Sequence, residues 1–151
     1  MDFKFSLFNY WPPFFGAGIR VEYVSKDFRE VRVQLKFGTL NRNAVGTQFG
    51  GSIFAMTDPF YMIMLMKNLG EDYVVWDKAA EIRYRRPGRS RLSAHFILTE
   101  ADLEMVREKL KSADRFDFEK RVEVKDMEGE TVAEVKKVVQ IRPKTNSASD
   151  L

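Results

Sequence analysis

The stretch Ser52–Leu69 is apolar almost all round, with Asp58 and Pro59 near its centre. A helix without a polar face has to be covered on every side. The rest of the chain must therefore wrap this segment. The charge and the proline in its middle argue for a helix buried inside a domain and against a bilayer span.

The wrapping material shows as alternation. Ile19, Val21 and Tyr23 fall on one side of a period-two pattern, with Arg20 and Glu22 on the other. Val31, Val33, Leu35 and Phe37 alternate with Arg32, Gln34 and Lys36. Leu92, Ala94, Phe96 and Leu98 alternate with Ser93, His95 and Ile97. Such a period predicts strands with one dry face. Further strands fit 74–85, 116–125 and 131–142, and Asp126-Met127-Glu128-Gly129 joins the last two as a hairpin turn. A second helix fits 100–111, with Leu103, Val106 and Leu110 on one stripe, Thr99 as N-cap and Asp102 three residues on. It is expected on the surface. Strands come in runs and do not alternate with helices, which predicts an α+β architecture: one antiparallel sheet around a long central helix. With 151 residues, 1–142 reads as a single domain and 143–151 as a frayed polar tail.

Composition removes several function classes. There is no cysteine and one histidine, His95. Disulfide frameworks, thiolate-ligated metals, Fe–S clusters, thiol catalysis and multi-histidine metal sites are excluded. His95 falls on the polar side of its strand and reads as a surface histidine. Twenty-five basic and 22 acidic side chains nearly balance, so no nucleic-acid partner is expected. The start, 1–18, is rich in aromatics but broken by Asp2, Lys4, Pro12 and Pro13, which does not fit an export signal. The cytoplasm is the expected location. Phe3, Phe5, Phe8, Tyr10, Trp11, Phe14 and Phe15 leave three readings open: a helix packed on the sheet, an oligomer contact, or a lid.

The chemistry concentrates in Asn43-Ala44-Val45-Gly46-Thr47-Gln48-Phe49-Gly50-Gly51-Ser52 and in Asp58. Gly50 and Gly51 sit where a helix begins, so free N–H groups point outward and suit a developing oxyanion. Asp58 lies roughly 12 Å further along a regular helix. A carboxylate on an apolar helix is costly unless paired or functional. The other reading makes Asp58 the N-cap of a helix starting at Pro59. Asn43 supplies an amide able to orient a water or a carbonyl, or else a turn. Asn43, Gly50 and Asp58 converge only if the loop folds back or a second subunit contributes. Arg83, Arg85, Arg86, Arg89 and Arg91 read either as a solvated strand end or as a phosphate clamp. Met56, Met62, Met64 and Met66 read as core or as the lining of a tunnel for a variable apolar chain.

Asn-x-x-Gly-Thr-x-x-Gly-Gly followed by Asp58 resembles the hotdog-fold acyl-CoA thioesterases of the phenylacetate (PaaI) type, through Asn43, Gly46, Gly50, Gly51 and Asp58. Tyr84-Arg85-Arg86-Pro87-Gly88 is similar to that family's strand ending in Tyr-x-x-Pro. Two features depart from the pattern. Phe49 stands where a histidine is usual, as in a Phe-Gly-Gly branch of tetrameric thioesterase-like proteins, and Pro59 follows Asp58 directly. The resemblance implies a hotdog fold, protomers paired as a homodimer or tetramer, and sites at the interface. It implies hydrolysis of an acyl-CoA or acyl-carrier thioester, with coenzyme A as part of the substrate and no further cofactor or metal. Asp58 would act as base or nucleophile, the Gly50 N–H would hold the carbonyl oxygen, and Asn43 would position water or substrate. Phe49, Gly51, Thr47, Arg83, Arg85 and Arg86 would contact substrate. The alternative, prompted by Phe49, is a non-catalytic binder of acyl-CoA or a fatty acyl chain.

Overall fold

The structure, a computed structural model, describes residues 7–144. A 3-10 turn, Leu7–Tyr10, leads into α1 (Pro12–Ala17), β1 (Ile19–Val24) and β2 (Glu30–Leu35). A second 3-10 turn, Thr39–Asn41, precedes α2 (Gly50–Ala55) and α3 (Phe60–Leu69). Then come β3 (Tyr73–Tyr84), β4 (Leu92–Ile97), α4 (Glu100–Leu110), β5 (Phe116–Lys125) and β6 (Thr131–Pro143). The six strands form one sheet in the order β1-β2-β4-β5-β6-β3, every pair antiparallel.

The apolar stretch is the centre of the core, as its composition predicts. Ile53, Met56, Phe60, Tyr61, Met64 and Leu65 are buried against Val33, Leu35, Phe96, Val122, Val135 and Val139 of the sheet. The Phe60 and Tyr61 rings meet Phe96 at 5.0 and 5.2 Å. Contacts of this kind add to plain area burial. Burial also pushes the Tyr61 phenol up, and its hydroxyl donates to the Arg121 carbonyl. Phe14 of α1 is buried and reaches Phe60 at 6.0 Å, so Pro12–Ala17 is a short helix packed on the central one through the Phe14 ring, with Phe8 beside it. Tyr10 and Phe15 stay exposed; Phe3 and Phe5 lie outside the described residues.

The sequence predicts one helix over 52–69, but the structure breaks it at its centre. Residues 56–59 leave the helix, Pro59 is the capping position of α3, and no side chain caps it. Proline lacks an N–H and clashes with the turn before it. Thr57 closes the first piece through its N–H and hydroxyl, both donated to Phe54 O, and Asp58 N donates to Ala55 O. Asp58 is therefore neither inside a continuous helix nor an N-cap. Burial on every side also fails within one chain, since Met66 and Lys67 of α3 are exposed.

Two strands carry bulges that the alternation hides. In β1 the register slips between Val21 and Tyr23. Glu22 becomes the extra residue, Tyr23 turns outward under the Arg32 guanidinium, and Val24 turns inward. In β3 the slip lies between Asp77 and Ala79. The strand absorbs Lys78, so Val75 and Asp77 before it, and Ala80, Ile82 and Tyr84 after it, all share the helix-facing side with Lys137, Val135 and Ala133 of β6. β2 ends at Leu35, which leaves Phe37 outside the sheet, beneath the Arg42 guanidinium.

α4 is a surface helix with Leu103 and Val106 buried. Thr99 and Asp102 form the expected capping box, and Lys120 donates to Asp102. The turn before β6 has Gly129 at φ +84°, in the left-handed region that suits glycine. Pro143 is the last residue of β6, and Lys144 N donates to Asp72 O; the tail beyond it lies outside the described residues. Among the described residues no helix is long and apolar enough to cross a membrane.

Candidate active site

A cleft of about 420 Å³ opens between the loop before α2 and the loop after β3, lined by Asn43, Thr47, Gln48, Gly50, Ile53, Tyr84, Arg85, Arg86, Pro87 and Gly88. Its size is typical of a small-molecule site. The cleft thus gathers the Asn43 loop, the first turn of α2 and the Tyr-x-x-Pro segment, three pieces that the sequence singles out separately.

Asn43 holds the loop together. Its Oδ1 accepts from Val45 N and Thr47 N, and its Nδ2 donates to Thr47 Oγ1 at 2.8 Å and Gln48 O at 3.3 Å. Gly46, at φ +77°, makes the tight reversal. The turn reading of Asn43 is what one chain displays, with the amide spent inside the loop it shapes. Gln48 pins the same loop by donating to Lys36 O and Ser90 O.

Gly50 and Gly51 have no positive φ; what they need is room. A Cβ on Gly51 would sit 2.4 Å from the Phe49 ring, and one on Gly50 would sit 3.1 Å from the Tyr84 hydroxyl oxygen. Phe49 is the capping residue of α2 and is 55% exposed. Ser52 N and Ile53 N both donate to Phe49 O, whereas the N–H groups of Gly50 and Gly51 donate to nothing among the described residues. The Tyr84 hydroxyl donates to Gly50 O at 2.8 Å, tying β3 to the start of α2. Partial burial raises the Tyr84 phenol.

Three of the five arginines are already engaged. Arg85 grips Glu134 through Nε and Nη2 at 3.0 and 2.8 Å. Arg86 pairs with Asp126 and lies 3.8 Å from Glu130, and Arg83, outside the cleft, pairs with Glu81. Arg89 and Arg91 are exposed and make no ion pair among the described residues.

Asp58 does not line this cleft. It sits at the break between α2 and α3, its side chain 60% exposed, and its Oδ1 accepts from Lys137 Nζ at 3.1 Å. Lys137 is 1% exposed and also lies 3.1 Å from Asp77 Oδ1. That second contact has ion-pair distance but not hydrogen-bond geometry, so Asp77 Oδ1 accepts no hydrogen bond. Burial pushes the Asp77 carboxyl up, Lys137 pulls it down, and Asp58 adds repulsion. The sequence reading missed Lys137 and Asp77. The signal was a lysine on the same strand parity as Val135, Val139 and Ile141. No group of three or more metal-ligating side chains is assembled among the described residues.

Comparison with known proteins places this geometry. A family described as a domain of unknown function, DUF4442, matches residues 2–141. No curated protein matches the chain by sequence. Among solved structures, PA5026 of Pseudomonas aeruginosa, a protein of unknown function described as a probable thioesterase, shares 19% identity, covers 85% of each chain and superposes with a TM-score of 0.73. Thioesterase HI1161 of Haemophilus influenzae shares 11% identity over 95% of this chain and 92% of its own, with a TM-score of 0.66. The Escherichia coli PaaI protein from the phenylacetic acid degradation operon shares 13% identity over 92% and 88%, with a TM-score of 0.61. At these identities the likeness is one of fold. The sheet around a central helix is the hotdog fold that the Asn43–Asp58 motif implies.

Proposed function

We propose, from the premise that the chain belongs to the DUF4442 family, that it is a thioesterase that hydrolyses acyl-CoA or acyl-carrier thioesters. The observation that carries this reading is the pair of unengaged N–H groups, Gly50 and Gly51, at the start of α2, with Gly50 lining the cleft beside Tyr84. The Gly50 N–H would hold the thioester oxygen as it gains charge. Asp58 would draw a proton from water as it attacks the carbonyl carbon, or would attack that carbon itself and form an anhydride that water then opens. In either route the C–S bond breaks, the thiol leaves with a proton, and water supplies the oxygen of the acid. Asn43 shapes the wall beside the oxyanion donors, with Thr47 as its partner. Two of the structural neighbours, PA5026 and HI1161, carry names that agree with this chemistry.

Asp58 does not line the cleft of its own chain, so the reading pairs two copies, with Asp58 of one facing the Gly50 cleft of the other. β3 supports this pairing: it is an edge of the sheet with exposed Trp76, Ala79, Ala80 and Tyr84. An unpaired strand edge is a template for another strand. The phosphates of coenzyme A would meet Arg85 and Arg86 at the rim, competing with Glu134 and Asp126; the two-point grip on Glu134 is the geometry an arginine offers a phosphate.

The test is hydrolysis of a panel of acyl-CoAs by the purified protein and its Asp58→Asn variant. Turnover by the parent and a fall of about 100-fold or more in the variant supports the reading. A variant as fast as the parent overturns it. Phe49 favours a second reading, because it puts an exposed apolar ring where a polar group is usual. Calorimetric binding of acyl-CoA without turnover would make the protein a carrier of acyl groups.

A further inference from the structure

We propose that Lys137 and Asp77 are positioning residues for Asp58: the buried ammonium of Lys137 grips one oxygen of the Asp58 carboxylate and turns the other toward substrate. The inference rests on the thioesterase reading and deepens it.

Lys137 stands on the helix-facing side of β6 between Val135 and Val139, 1% exposed. A lysine there loses its hydration, and opposite charge at contact distance offsets that loss. Two carboxylates supply that charge, each with Oδ1 3.1 Å from Nζ. One would balance the charge, and the two differ in setting. Asp77 is mostly enclosed, with 23% of its side chain exposed, on the side of β3 that faces α2 and α3. Asp58 is open, and its Oδ2 makes no hydrogen bond or ion pair among the described residues. Asp77 therefore serves as the internal counter-ion, and Asp58 uses the same ammonium as a fixed post. The break at residues 56–59 brings Asp58 over Lys137, and the bulge at Lys78 keeps Asp77 and Ala80 both on the Lys137 side. Among the described residues, the charged groups that face Asp58 are Lys137 from β6 and Asp77 from β3; its neighbours Thr57 and Pro59 carry no charge.

A grip on Asp58 and plain packing differ in what they move. The experiment compares the full chain with Lys137→Met, Lys137→Arg, Asp77→Asn and Asp58→Asn. It reads kcat and KM of acyl-CoA hydrolysis separately and, by NMR at one pH, the carboxyl ¹³C shift of Asp58. Lys137→Met is expected to cut kcat by about tenfold or more while KM moves little, and to displace the Asp58 carboxyl shift. Lys137→Arg is expected to restore part of kcat, and Asp77→Asn to lower kcat at little-changed KM. If Asp58→Asn is inactive yet folded Lys137→Met keeps the parent's kcat, the positioning role is overturned and the thioesterase reading stands. If Asp58→Asn is as active as the parent, the thioesterase reading falls; the Asp58 carboxyl shift then decides the Lys137 contact alone, and an unmoved shift overturns it. Should Lys137→Met not fold, Asp77→Asn carries the test, and an unmoved kcat and carboxyl shift overturn the proposal.

Discussion

The Phe49 ring lies over Gly51, so close that a Cβ on residue 51 would come within 2.4 Å of its Cε1. The ring and the glycine form one feature: the aromatic can replace a polar residue at this site only because the neighbouring helical position has no side chain. Gly51→Ala must push the ring away, but the ring is the exposed end of a flexible side chain, so the loss of stability should stay below about 1 kcal/mol. Denaturant titration of Gly51→Ala beside the double variant Phe49→Ala/Gly51→Ala checks this. The double variant should recover most of the loss; if it does not, the clash is not the cause.

Asn43→Ala removes four hydrogen bonds that brace the loop before α2. Stability should fall by about 1–3 kcal/mol. Asn43→Asp should be no better, because its second oxygen would face Thr47 Oγ1 and Gln48 O, where the amide now donates. Thermal unfolding of the two variants would show whether the amide hydrogens matter; a fully stable Asn43→Asp would refute it.

Tyr84→Phe deletes the donor to Gly50 O. The expected cost is about 1 kcal/mol in stability. Thioester turnover should fall, by less than in Asp58→Asn, because the oxyanion donor survives with a looser support. Steady-state kinetics of the two variants side by side tests this ordering.

These three sites show what was legible in the sequence. The strands, the surface helix and the central apolar run follow from period and composition, which local contacts obey. The loop residues Asn43 and Gly50 stand out by their chemistry before an apolar helix, and Gly46 by the motif that the chain's resemblance implies. The bulges at Glu22 and Lys78 were not, because a bulge is an extra residue in an otherwise alternating string, and its place depends on the partner strand. Tyr23 was assigned to the wrong side for that reason. Lys137 and Asp77 were missed because their meaning lies in a pairing between β3, β6 and the helix break, which one strand at a time does not reveal.

The capping box of α4 makes a pH prediction. Burial opposes ionisation of Asp102, but Lys120 and the Thr99 N–H and hydroxyl outweigh it and hold the carboxyl below its ordinary range. A carboxyl lowered in the folded state adds stability above its unfolded pKa, and that stability is lost as pH falls through the folded value. Asp102→Asn should therefore be less stable than the parent near neutrality, with the gap closing below about pH 4. Thr99→Ala should cost about 1 kcal/mol. Urea midpoints across pH measure both, and a gap that widens in acid would contradict the assignment.

The proposed pairing through β3 predicts that Ala80→Glu, which places like charges near a two-fold axis, shifts the protein toward single chains and lowers hydrolysis together with it. Sedimentation velocity on parent and variant reads the first effect. A parent that sediments as a single chain at micromolar concentration would remove the basis for a shared site.

The bulge in β3 also sets where this chain tolerates a change of length. Dropping Lys78 would leave a plain ladder, with Asp77 still opposite Val139 and Ala80 still opposite Lys137. Dropping one residue from 80 to 83 while the bulge stays would rotate Tyr84 to the outer surface and take its hydroxyl away from Gly50, because orientation along a strand inverts with each residue lost. Related chains that vary in size along this strand should therefore gain or lose their residue at 78, where the fold has slack.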